Sequence, residues 1–167
     1  MPILDRLIGL ETEYAIRFRP RASLVSPPSR FGFYQSVVTA LRRRTVTAPA
    51  RHFKEGVFLA NGGAVWFEAE RPAAGGGLIE GSTPECRGPR EAVRYQRAQD
   101  RLLAESARSA EIDGDLLLVK NDRDAYDHVY GAQENYEAIL GTGCSLLGWR
   151  IGLILLTPLL LLTWSVL

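Results

Sequence analysis

The sequence predicts an α+β domain, with an antiparallel or mixed sheet and helices packed against one face. Three observations carry that expectation. Leu7 to Phe18 alternates apolar and polar residues with the period of a half-buried strand. Asn61-Gly62-Gly63 separates two short apolar runs and supplies the turn chemistry of a hairpin. Ser29 to Arg44 and Pro89 to about Ala110 carry helical patterns. At 167 residues, 46% of them apolar, the chain is long enough for one domain with one core.

In the first strand Ile8, Leu10, Tyr14, Ile16 and Phe18 share a face, with Thr12 as the polar intruder. Glu11, Glu13 and Arg17 share the other. Pro27 and Pro28 close a loop before the first helix, whose stripe is Phe33 or Tyr34, Val37, Val38 and Leu41. Arg42, Arg43 and Arg44 fall at its end, where the helix dipole favours cations. The hairpin joins Val57–Ala60 to Ala64–Glu70, with Val65 and Phe67 facing one way and Trp66, Glu68 and Glu70 the other. Ala73 to Gly77 reads as a flexible insertion. Pro89 suits the first turn of the second helix, and Glu91 suits its positive end. Asp113-Gly114 is a turn, and Leu116 to Val119 is expected as a short buried strand running to Lys120. The order is strand, helix, hairpin, helix, strand.

Charge and cysteine usage exclude several function classes. Twenty basic and 19 acidic residues leave a net charge of +1, which offers no field for nucleic acid. Cys86 and Cys144 stand far apart, so a disulfide scaffold is not expected and a reducing, cytoplasmic setting is. His52 and His128 are isolated and give no histidine metal site. No basic segment followed by a long apolar run begins the chain, so no secretory signal is expected.

The acids are the chemical question. Glu68, Glu70, Glu80 and Glu85 gather around one Gly-rich loop, and Glu11 and Glu13 project side by side from the first strand. Such faces cannot enter an apolar core unpaired. They line water, cations or a ligand cradle. Hard Mg2+ takes oxygen ligands from a few carboxylates, phosphate and water, which would suit this face. Period-two acids are equally the solvent side of a sheet, and the residues alone leave both readings open. Thr83-Pro84 is a rigid turn in the plain reading, Cys86 a small buried hydrophobe, and Lys120 a strand cap.

Four short motifs in order narrow this: Gly9-Leu10-Glu11-Thr12-Glu13-Tyr14, Asn61-Gly62-Gly63, Ser82-Thr83-Pro84-Glu85-Cys86, and the run from Val119 to Gln133-Glu134-Asn135-Tyr136. Together they resemble the Pup ligase and depupylase family, bacterial proteasome accessory factors among the glutamine-synthetase-like carboxylate–amine ligases. The resemblance covers Ile8 to about Tyr136 and the N-terminal third or so of a usual member. It implies a sheet cradling Mg2+ and ATP, with Pup or a Pup-like protein as partner. The family's ligase phosphorylates a C-terminal glutamate of Pup for attack by a lysine; its depupylase cleaves the resulting isopeptide bond. By resemblance Glu11 and Glu80 are magnesium ligands, Thr83 contacts ATP, and Glu68 takes the position of the catalytic acid–base group.

Departures from the family pattern bear on activity. Ala64 replaces an arginine that contacts ATP, Trp66 a tyrosine that binds magnesium, Glu68 an aspartate, and Gln133 a histidine. Alanine cannot bond a phosphate, indole only donates, and Glu68 carries its carboxylate one methylene further out. Glu80 follows Glu68 by twelve residues, about twice the usual family spacing.

The last seventeen residues, Ile151 to Leu167, carry no charge. They read as a membrane helix, at the lower length limit, or as a core helix of a truncated fold. Pro158 to Trp164 resembles a family stretch that a full-length member would bury. Residues 1–145 are thus expected as the N-terminal part of a Pup ligase-like domain, and 146–167 as an apolar segment. The functional expectation is a truncated, diverged paralogue, weak or inactive, serving as partner of an active ligase. The alternatives are an active ATP- and Mg2+-dependent ligase or depupylase, and a membrane-anchored binding domain.

Overall fold

The computed structural model describes residues 7–21, 26–50, 56–69, 76–120, 132–137 and 142–166. The chain divides into two compact units, one of them Leu7–Tyr136 and the other containing the C-terminal helix. The elements in order are β1 Leu7–Pro20, α1 Arg30–Arg42, β2 Thr47–Ala50, β3 Gly56–Leu59, β4 Ala64–Glu68, β5 Leu78–Ser82, α2 Pro89–Arg108, β6 Gly114–Val119, β7 Ala132–Glu137 and α3 Cys144–Val166. The sheet runs β2-β3-β4-β5-β1-β6, and β7 also pairs with β1. Successive pairs along that order are antiparallel.

β1 is long because its alternation is sustained. Thr12, Tyr14 and Ile16 are buried on the helix side. The strand carries β5 along Glu11–Tyr14 and β6 along Ala15–Pro20. Ser29 caps α1 by accepting from the Gly32 N–H at 3.0 Å. Phe33, Tyr34, Val37 and Leu41 of α1, with Leu103 and Ala107 of α2, pack on Tyr14, Ile16, Val57, Leu59, Val65, Ile79 and Leu116 of the sheet. Phe67 meets Phe31 edge-on at 5.3 Å and Tyr34 at 5.8 Å. The basic run does close the helix: Arg42 lies in the last turn, and Arg43 and Arg44 pair with Glu111 and Glu105.

Asn61-Gly62-Gly63 turns β3 into β4 with a division of labour. Gly62 has φ +90°, and Asn61 Oδ1 accepts from Gly63 N at 3.0 Å. A Cβ on Gly63 would lie 2.7 Å from the Ser82 carbonyl oxygen, so this glycine serves close approach rather than an unusual φ.

Three expectations need correction. Thr47–Ala50 and Leu78–Ser82 are strands that the apolar pattern does not announce. In the first, Pro49 interrupts an edge strand. In the second, Gly81 breaks the apolar run and takes the place where a side chain would strike Gln99. Leu116–Val119 is half-exposed rather than buried: Leu116 points inward, while Leu117 and Val119 are exposed. The Gln133–Tyr136 block lies within β7. Glu70, and Ala73 to Gly75 of the expected insertion, lie outside the described residues.

α3 has Arg150 as its one charged residue. None of its residues with described burial is buried.

Candidate functional site

The face of the sheet opposite α1 and α2 brings most of the expected acids together. Cross-strand partners point to the same face. Glu13, Glu80 and Trp66 therefore form one row across β1, β5 and β4, and Glu11, Ser82 and Ala64 form the next. Glu68 stands on the same face, opposite Leu78. Glu11 and Glu80 are diagonal neighbours, a relation that sets residues about 7–8 Å apart in such sheets.

Glu80 is 7% exposed and Trp66 4%. The Trp66 indole Nε1–H donates to Glu80 Oε2 at 2.8 Å, a buried hydrogen bond to a charged acceptor. Trp66 thus shares the acidic face, as its position predicts, but it is buried there against the carboxylate. Beside it lies a cleft of about 560 Å³. Glu11, Ser82, Ala64, Trp66, Phe58 and Pro49 are among the residues that line it.

Thr83 continues the pairing of β5 with β1. Its Oγ1 accepts from Leu10 N at 3.0 Å, and its own N–H donates to Leu10 O at 2.9 Å. Cys86 bridges to Ile8 and is fully buried, its Sγ–H directed to the Pro84 carbonyl. Burial, helped by the Glu91 charge, pushes its thiol up, which suits an inert core residue.

The described residues do not complete a magnesium–polyphosphate site. Among them no three acidic, histidine or cysteine side chains converge on a metal position. Among the described residues no arginine, lysine or histidine lines the cleft, and Arg51, His52 and Lys54, between its lining residues Ala50 and Gly56, lie outside them. The carboxylate of Glu80 is engaged by an indole that cannot ligate a cation.

Sequence reasoning misses a second polar group, on the helix side. The Tyr14 hydroxyl donates to Asp100 Oδ1 at 2.7 Å. Gln96 Nε2 donates to Tyr14 Oη at 3.1 Å and to Asp100 Oδ1 at 3.0 Å, while the Thr12 hydroxyl donates to Gln96 Oε1 at 3.1 Å. Lys120 Nζ closes the group on Asp100 Oδ2 at 3.0 Å. Burial drives the Tyr14 phenol well above its ordinary value, and the Asp100 hydrogen bond adds to this. Burial raises the Asp100 carboxyl too, but hydrogen bonds from Tyr14, Lys120 and Gln96 outweigh it and hold the group below its ordinary value. The available signal was Thr12, a polar residue on an apolar face that requires a partner.

The geometry defines an α+β domain, an antiparallel sheet with α1 and α2 packed on one face. A family model described as Pup-ligase protein matches residues 6–156, and the chain belongs to the Pup ligase family. It is 33% identical over 144 residues to a Pup–protein ligase of Acidimicrobium ferrooxidans, covering 81% of this chain and 28% of that protein. A Pup–protein ligase of Sanguibacter keddieii is 31% identical over 138 residues, covering 78% and 27%. Among solved structures, the ligase PafA in its complex with the prokaryotic ubiquitin-like protein Pup matches with TM-score 0.60 and 23% identity, over 89% of this chain and 28% of that one. That likeness establishes the fold. The chain spans little more than a quarter of the length of these relatives.

Proposed function

We propose that this chain is a diverged Pup ligase-family domain that keeps the family's sheet and has weak or no nucleotide-dependent ligation of its own. The observation that carries the reading is the Trp66–Glu80 hydrogen bond. A carboxylate assigned to magnesium by resemblance is held by a donor, in a row whose neighbour is Ala64. On this reading Glu11, Glu68 and Thr83 keep their places on the scaffold, and Mg2+ and ATP bind feebly. Pup or a Pup-like protein is the partner, the setting is cytoplasmic, and the domain serves beside an active relative. The PafA–Pup complex supports the choice of partner by fold alone.

The test is ATP-dependent conjugation of glutamate-ended Pup to a lysine protein, followed on a gel. No product is expected from the unmodified chain. Preorganised donors of the kind lost at Ala64 are worth about 3 kcal/mol each in a transition state. The triple change Ala64→Arg, Trp66→Tyr and Glu68→Asp is expected to raise ATP affinity in calorimetry before any turnover returns. Conjugation by the unmodified chain that Glu68→Ala abolishes overturns the reading in favour of an active ligase.

A further inference from the structure

We propose that Gln96, Gln99 and Asp100 of α2 are positioning residues for the acidic face: from behind the sheet they lock the register that sets Glu13 beside Glu80 and Trp66. The row Glu13–Glu80–Trp66 lies between two rows of cross-strand partners, Thr12–Gly81–Val65 and Tyr14–Ile79–Phe67. Those two rows point the other way, towards the helices. α2 grips both. The Thr12 hydroxyl donates to Gln96 Oε1 at 3.1 Å. Gln99, 5% exposed, lies over Gly81, where a Cβ would stand 2.6 Å from its Nε2. Gln99 also donates to the Tyr14 hydroxyl at 3.4 Å, and Tyr14 donates on to Asp100 at 2.7 Å. Positions 96, 99 and 100 share one side of a helix, so a single rigid element holds both strands that carry the row. All these groups belong to the compact unit Leu7–Tyr136, and Tyr14, Gly81 and Gln99 are buried in it.

Alternation alone leaves this register open. A slip by one residue turns the apolar face outward, but a slip by two keeps every side chain on its own face. Slid two residues one way, β1 sets Glu11 opposite Glu80; slid the other way, it sets Ala15 there. Either slip parts Glu13 from Glu80 and carries Thr12 about 7 Å from Gly81. Gln96 and Gln99 keep a fixed spacing on α2, so they meet Thr12 and Gly81 together in the native register alone. Thr83 supports the same register from the end of β5, through its hydrogen bonds with Leu10 at 3.0 and 2.9 Å. The α2 contacts act at the row itself. The lock sets the geometry of the row, whatever that row binds, and so stands apart from the function proposed above.

The experiment is NMR of the isotopically labelled full chain in mild detergent. The Trp66 indole N–H is assigned by its loss in Trp66→Phe, and it reports the hydrogen bond to Glu80 from the opposite face of the sheet to the glutamines. Its hydrogen exchange is read against the backbone amide of Leu41, a core residue of α1. Gln96→Ala and Gln99→Ala are each expected to move the indole resonance. Each should also speed indole exchange at least about tenfold more than exchange at Leu41, the sign of local rather than global opening. Gln99→Met fills the space over Gly81 but donates nothing; it is expected to do the same, and it stands in if the alanine variant does not fold. Arg97→Ala, on the exposed side of α2, should leave both readings as they are. An indole that keeps its wild-type resonance in the glutamine variants overturns the proposal. So does indole exchange that rises only in step with Leu41, the pattern of a helix that supports the fold but not the row.

Discussion

Trp66 is where family resemblance and local chemistry meet most directly. Replacing it with phenylalanine keeps an aromatic ring, smaller than the indole, and removes the donor to Glu80. Trp66→Phe should cost about 1–3 kcal/mol in urea unfolding, and Glu80→Gln, which keeps an acceptor, should cost less. A Trp66→Phe cost no larger than that of the lost ring area alone would mean that the hydrogen bond contributes nothing to stability. Gly63→Ala should also cost about 1–3 kcal/mol, because the neighbour its Cβ would strike is the backbone oxygen of Ser82. The positions of Glu11, Glu13, Trp66 and Glu68 on one face were legible from period-two alternation. The bond to Glu80 was not, because it depends on β5, and β5 hides behind Gly81 and the Gly-rich stretch before it.

The contact between β1 and α2 carries the pH dependence of the fold. The Asp100 carboxyl is held below its ordinary value of 3.8, so its contribution is present above that pH and is lost as pH falls further, through the depressed value. Tyr14 is raised above its ordinary 10.0, so its contribution is intact below pH 10 and is lost as pH rises beyond it. Denaturant midpoints measured across pH should therefore fall at both extremes, and Asp100→Asn should flatten the acid limb. An acid limb unchanged in that variant would remove Asp100 from the account. The helix α2 was legible from Pro89 and its pattern. Its buried polar side was not, because Gln96, Gln99 and Asp100 read as solvent residues until β1 is laid against them.

Over the whole sheet, pairing radiates from β1, which contacts β5, β6 and β7, towards the four-residue β2 at one edge. Hydrogen exchange should follow that order: slowest amides along Glu11–Ile16, fastest among the sheet strands at Thr47–Ala50. Protection of β2 equal to that of β1 would contradict it. The α+β class was legible because β1 and both helices are long and strongly patterned. The strand order was not, since β1 pairs with partners roughly 65 or more residues away, and no local pattern encodes such pairings.

The alternation of β4 sets Ala64, Trp66 and Glu68 on the face opposite α1 and α2, and Val65 and Phe67 on the helix side. The two sets interleave along one strand yet answer to different demands. Substitutions in the outer set leave the packing of the inner set alone, whereas a one-residue insertion would exchange the two and expose the core. A lineage can thus rewrite the chemistry of this strand one position at a time while the scaffold persists. Side chains of the outer set can be exchanged on a sheet that folds as before. The strand is tolerant of replacement and intolerant of shift.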